Sequence, residues 1–152
     1  MREYRYVVDR EGRIFHDGAE VVDPLVLRFF LRAMQRTPDG RYLVLCQGER
    51  NWFDASDTPF VVQRLRFDAG GAQVTGVTLC FAGDFREPLD PRSLEAEGNY
   101  LYCLVRRAAF RARFGRLAMN QIAPFLVEGD DGPALTLNGV RYPIRILTPA
   151  ER

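Results

Sequence analysis

The side chains in this sequence with the means to do chemistry are one histidine, a few closely spaced carboxylates, a run of arginines and one exposed-looking aromatic pair. His16 is the only histidine. A Ser/His/Asp or Cys/His site would have to use it, with Asp17 or Asp57 as the orienting acid. The surrounding sequence supplies no identifiable nucleophile or oxyanion hole. Beside Asp17-Gly18 in a hairpin, the ring is expected to hydrogen-bond locally. One histidine and scattered carboxylates also fall short of a zinc ligand set. Asp54 and Asp57 stand three apart before Pro59-Phe60, a spacing that suits acid–base work or a cation. The same residues favour turns through side-chain to backbone hydrogen bonds. Asp57 is therefore expected to shape the corner that aims Phe60 into the core.

Arg106, Arg107, Arg111, Arg113 and Arg116 form the one basic cluster, with the means to grip phosphate. Placed on a helix at about 100° per residue, Arg107 and Arg111 fall on one flank of a Phe110/Phe114 stripe. Arg113 and Arg116 fall on the other. That division argues against a nucleic-acid surface and leaves Arg107/Arg111 as the pair for a small anion or nucleotide in a cleft between lobes. Trp52 and Phe53, with Arg50, sit in a polar stretch and are the expected anchors for a protein partner. Gly70-Gly71 is a hairpin turn and not a phosphate loop.

The elements that must position these residues begin with a helix over Asp23–Arg36. Asp23-Pro24 is a start and Thr37-Pro38-Asp39-Gly40 a stop. Leu25, Phe29 and Ala33 make one stripe, widened by Val26, Phe30, Leu27, Leu31 and Met34. The polar sector is roughly a quarter to a third of the circle, so the helix should have protein on at least two sides. A second helix is expected over Arg107–Ile122. Asp17-Gly18 and Asn138-Gly139 each signal a hairpin. Arg41–Cys46 and Tyr100–Val105 are apolar on both faces, as central strands are. Pro143 places the last strand at an edge or bulge. Gly83–Asn99, with Pro88, Pro91 and five acidic residues, is the expected linker. The result is an α+β domain of mostly antiparallel strands and hairpins with two main helices. It spans 1–152, with two similar lobes, 1–82 and 100–152, joined by the loop 83–99.

A chain of 152 residues with net charge +1 is long enough for one core and has no global pull toward nucleic acid or anionic membrane. All 21 basic residues are arginine. Cys46, Cys80 and Cys103 show no C-x-x-C spacing and lie in apolar runs, so neither a disulfide framework nor a zinc site is indicated. The N-terminus has no signal-peptide core and no run reaches membrane-spanning length. The expectation is a soluble cytoplasmic protein without a cofactor.

The run Asp9-x-x-Gly12-Arg13-x-Phe15-His16-x-Gly18, then an apolar helix, then Asp39-Gly40-x-Tyr42, Glu49-Arg50 and Asp57-Thr58-Pro59-Phe60 resembles an uncharacterised bacterial family among the domains of unknown function. Its members carry an Asp-Gly, a W-x-H/Y-x-G hairpin, a D-G-x-Y turn and a D-A-P-F corner. Phe15 stands where Trp is usual and Thr58 where Ala is usual. The resemblance implies two lobes with repeated motifs and a role in signal transduction, without assigned chemistry. The functional expectation is thus a non-catalytic binding module of a bacterial regulatory pathway that contacts a protein partner. A small-anion or nucleotide sensor is the first alternative, and an enzyme using His16 with Asp17 or Asp57 the second.

Overall fold

The computed structural model describes residues 2–148; Met1 and 149–152, the ends of the expected domain, lie outside the described residues. Glu3–Val8 (β1) leads through a turn in which the Asp9 carboxylate accepts from the Glu11 and Arg13 amides, both at 2.9 Å. Ile14–His16 (β2) and Ala19–Glu20 (β3) follow, joined by Asp17-Gly18 at φ 49° and 82°. That is the positive-φ pair the sequence predicts for a tight hairpin.

The first helix, Pro24–Ala33 (α1), starts where expected: Asp23 accepts from the Leu25 amide at 2.9 Å and Pro24 opens the first turn. It ends before Arg36. Gln35–Arg36 (β4) instead pairs with Tyr42–Cys46 (β5). The Arg106 guanidinium, from the far half of the chain, donates to the Leu31 and Met34 carbonyls at 2.9 and 2.8 Å and so satisfies the end of the helix. The core face is Leu27, Phe30, Leu31 and Met34, whereas Leu25 is 70% exposed. A wheel that is apolar nearly all round leaves the choice of face to tertiary packing. Here that choice is made by Tyr6 and Phe53, whose rings each lie 5.0 Å from Phe30.

Gln47-Gly48, at φ 50° and 77°, makes a further tight turn into Glu49–Ala55 (β6). Trp52 and Phe53 are therefore on a strand and not in a polar loop. β6 runs parallel to β1 and antiparallel to β5, giving a sheet ordered β3-β2-β1-β6-β5-β4.

Phe60–Val62 (β7), Arg64–Gly70 (β8), Gln73–Cys80 (β9) and Arg86–Pro88 (β10) bridge the halves, the last three forming a sheet ordered β10-β9-β8. Glu95–Glu97 (β11), Tyr100–Val105 (β12) and Phe110–Phe114 (β13) come next, followed by Arg116–Ile122 (α2). Leu126–Gly129 (β14), Gly132–Leu137 (β15), Val140–Pro143 (β16) and Arg145–Leu147 (β17) close the chain.

The expected second helix over Arg107–Ile122 is corrected to a turn, a strand and a short helix. Arg106, Arg107 and Ala108 take φ 53°, 57° and 65°, which a helix does not tolerate. Phe110, Ala112 and Phe114 are buried in alternation along β13, so period 2 prevails over the period-3.6 coincidence of Phe110, Phe114 and Leu117. Two side chains dock α2. The Glu11 carboxylate accepts from the Arg116 amide at 3.2 Å. Gln121 receives the Leu65 amide at 2.7 Å and donates to the Leu65 carbonyl at 3.2 Å, as a strand neighbour would.

The two lobes are similar because one motif occurs twice, over residues 3–55 and 95–147. Each unit opens with a strand that later pairs parallel with its last: β1 with β6, β11 with β17. Each sends out an antiparallel partner, then a helix, then a meander back. The order β3-β2-β1-β6-β5-β4 is answered by β13-β12-β11-β17 and, beyond a break, β16-β15-β14. The break is at Pro143, which has no N–H to donate and ends β16 before β17 begins. The stretch 83–99 is therefore not a plain linker: it contains β10 and β11. β7, from before the expected boundary, lies beside β13 in the second sheet. Among the described residues no helix is long and apolar enough to cross a membrane.

Candidate functional site

Strand alternation gives the five-stranded sheet, ordered β17-β11-β12-β13-β7, two different faces. Leu101, Cys103, Val105, Phe110, Ala112, Phe114, Phe60 and Val62 are buried on one. Burial pushes the Cys103 thiol well above its ordinary pKa, which makes it an inert packing residue. The other face carries Glu95 and Glu97 on β11, Tyr100 and Tyr102 on β12, and Arg111 and Arg113 on β13. Register places Glu95 opposite Tyr102, Glu97 opposite Tyr100, and Tyr102 opposite Arg113.

These side chains interlock. Arg111 lies 3.5 Å from the Tyr102 ring centroid, donates to Glu97 at 3.0 Å and stands 3.6 Å from Glu95. Arg113 lies 4.9 Å from the Tyr100 centroid. The Tyr102 hydroxyl donates to Asp57 Oδ2 at 2.6 Å. Burial, and then that bond to a carboxylate, pushes the Tyr102 pKa up to about 12.

The first unit covers part of this face and leaves a cleft of about 430 Å³ lined by Arg10, Ser56, Asp57, Glu97, Gly98, Tyr100, Tyr102 and Arg113. Arg10, from the Asp9–Gly12 turn, reaches the Tyr100 hydroxyl at 3.4 Å and its carbonyl accepts from Arg113. Asp57 follows β6. Arg113 is only 6% exposed. Its Nε stands 3.6 Å from Asp57 Oδ2, beyond hydrogen-bond reach, and has no hydrogen-bond partner among the described residues. A buried cation one bond short of satisfaction is an uncommon and costly arrangement.

Tyr102 carries a pH consequence. Its folded-state pKa lies above the ordinary tyrosine value of 10, so the neutral phenol is favoured by folding. That contribution is complete below pH 10 and is lost as pH rises toward 12. The groups that act on it are Asp57, Arg111 and Glu97, and Glu95 and Arg113 stand opposite it in register. Unfolding curves from pH 9 to 12 should show Tyr102→Phe losing about 2 kcal/mol less than the parent over this window. Parallel curves for the two proteins would remove the assignment.

The sequence-expected residues are dispersed. Asp57 is in the cleft and Phe60, fully buried, sits 4.9 Å from the Phe110 ring, so the corner does aim Phe60 inward. Arg107 lies exposed in the β12–β13 turn and does not line the cleft. Arg111 is on the polar face but is held by Glu95, Glu97 and Tyr102. Arg107 and Arg111, the pair expected to take an anion, are thus not brought together in the cleft, whose lining arginines are Arg10 and Arg113. Phe53 is a core residue stacked 5.0 Å from Tyr6, which corrects its expected exposure. Trp52 is half-buried on the outer face, under Arg41 at 4.0 Å and donating to Glu3 at 3.2 Å, while Arg50 stands 3.6 Å from Glu3. His16 contacts the Arg5 carbonyl at 3.0 Å, Asp17 at 3.4 Å and the rings of Tyr4 and Tyr6. His16 lines a pocket with Tyr4, Asp17 and Trp52, whereas Asp57 lines the cleft, which separates the two residues of one expected enzyme pairing. Among the described residues no group of three or more His, Cys, Asp or Glu side chains is placed to hold a metal ion.

This fold is shared with solved structures of an uncharacterised bacterial family. A DUF1285 family protein from Silicibacter pomeroyi DSS-3 superimposes with a TM-score of 0.69 at 18% identity, over 94% of this chain and 82% of that one. A DUF1285 family protein from Shewanella baltica OS155 gives 0.54 at 13% identity, over 73% and 84%. No family model matches the chain. At these identities the likeness is one of fold.

Proposed function

We propose that the protein is a non-catalytic binding module that takes a small anionic ligand in the cleft between its two lobes, within a cytoplasmic bacterial regulatory pathway. One observation carries this reading: Arg113, 6% exposed, has an Nε without a hydrogen-bond partner among the described residues, at the wall of a cleft that Arg10 also lines. A guanidinium offers a planar fork to an oxyanion. Incompletely satisfied charge in a concave site is where ligands bind. His16, held by its own hairpin, supplies no acid–base partner to this cleft.

Thermal melting against inorganic phosphate, nucleotides and small carboxylates tests it. A ligand at 100 times its dissociation constant adds about 2.7 kcal/mol, several degrees for a chain of this size. Arg10→Ala should abolish the shift. A panel with no shift from any anion removes the reading.

A second reading, contact with a protein partner, is favoured by the start of α1. Val22 and Leu25 are 72% and 70% exposed, and Leu25, Val26, Phe29 and Phe30 line a groove with Tyr6. Exposed apolar clusters of this kind are where partners dock. Trp52 and Arg50 lie on the sheet's other face as the remaining candidate anchors.

A further inference from the structure

Resting on the cleft reading above, we infer that the ligand is a monocarboxylate with a flat, aromatic body and not a phosphate ester. Charge sets the first half of this. Arg10 and Arg113 line the cleft with Asp57 and Glu97, and Glu97 is paired with Arg111 at 3.0 Å. Among the described residues three guanidiniums thus meet two carboxylates. The neighbouring Glu95 has Arg145 as a partner at 3.7 Å, which leaves the surplus among the described residues at one positive charge. A single negative charge completes the set. A phosphate dianion exceeds it, and does so beside two carboxylates that repel it.

The rings set the second half. Guanidiniums already stack on both tyrosines, Arg111 on Tyr102 and Arg113 on Tyr100. Tyr100 is 39% exposed and lines the cleft, so the stack ends on a residue that a ligand can reach. Arg10 reaches the hydroxyl at the rim of that ring, at 3.4 Å. A ligand ring laid against Tyr100 brings its carboxylate toward Arg10. Aromatic stacking adds binding beyond the area it buries, worth about tenfold in affinity at its upper range. A volume of about 430 Å³ is in the range of sites for compact small molecules.

Calorimetric titration of the full chain with benzoate, indole-3-acetate, acetate, inorganic phosphate and AMP tests the inference. Benzoate and indole-3-acetate should bind, acetate about tenfold more weakly, and phosphate and AMP more weakly than benzoate. Arg10→Ala and Tyr100→Ala, both at accessible positions, should each weaken benzoate about tenfold or more, Arg10→Ala with the melting temperature unchanged and Tyr100→Ala with a cooperative melt retained. Tightest binding by AMP or phosphate, lost in Arg10→Ala, overturns the ligand class and leaves the cleft reading standing. Acetate binding as tightly as benzoate overturns the aromatic body alone. No binding by any of the five, or binding that survives both variants, overturns the inference and the cleft reading together.

Discussion

Gly83→Val should destabilise the protein by about 2–5 kcal/mol, enough to consume much of the stability of a domain this size. Gly83 sits at φ 67° in the turn after β9, where a β-branched residue is strained by about 1–2 kcal/mol. Space is the larger problem. A Cβ there would lie 2.6 Å from the Leu27 Cβ and 2.9 Å from the Pro24 carbonyl oxygen, both fixed parts of α1. The turn and the helix would have to separate, at a typical overpacking cost of about 1–3 kcal/mol. They cannot do so freely, because Arg28 donates to the Gly83 carbonyl at 2.7 Å and Leu27 is buried in the core. Gly18→Val is the control: it has a similar φ of 82° with nothing within 4 Å of the added carbon, and should show the strain alone. Chemical denaturation of both variants measures the difference. Equal losses would mean that the α1–turn contact yields without resistance.

That contact also shows why part of the fold was hidden in the sequence. The start of α1 was legible because Asp23-Pro24 is local chemistry, and the Asp17-Gly18 and Asn138-Gly139 turns were legible for the same reason. Gln47-Gly48 makes the same kind of turn without an Asn or Asp to announce it, so the strand that carries Trp52-Phe53 has no local start signal. The end of α1 is set from a distance, by Arg106 and by pairing of β4 with β5. Phe110–Phe114 satisfies a helix and a strand equally well on paper. What decides it is the turn at Arg106–Ala108 and the partners β12 and β7 on either side.

Whether Phe110–Phe114 is helix or strand decides which side chains meet at the site. Placed on a helix, Arg111 and Arg113 diverge; placed on a strand, they share a face with Tyr100, Tyr102, Glu95 and Glu97. The alternation was present in the sequence as Glu95-Ala96-Glu97, Tyr100-Leu101-Tyr102 and Arg111-Ala112-Arg113. Three such triplets, polar or aromatic at both ends and apolar in the middle, are what a sheet with one wet face requires. Arg10 carried no comparable signal, because only the docking of the first unit brings its turn over Tyr100.

Asp57→Ala should cost about 2–3 kcal/mol, far more than removal of a surface carboxylate. Removing one member of a buried charge pair typically costs about 3–5 kcal/mol, reduced here because the Asp57 side chain is 25% exposed. The loss has two sources: the Arg113 guanidinium keeps its burial without its nearest acid, and the Tyr102 hydroxyl loses its acceptor. Replacing Arg113 with Met in the Asp57→Ala background removes the stranded charge while keeping most of the packed volume. The double variant should therefore recover about 1–2 kcal/mol relative to Asp57→Ala. It should also lose all response to anions in the melting assay. Recovery of stability with loss of binding would mean that the charged pair is retained at a cost to folding because a ligand completes it. A double variant no more stable than Asp57→Ala would instead make Arg113 a packing residue whose charge is adequately met by the Arg10 carbonyl and the Tyr100 ring. The cleft would then lose its main reason to attract an anion.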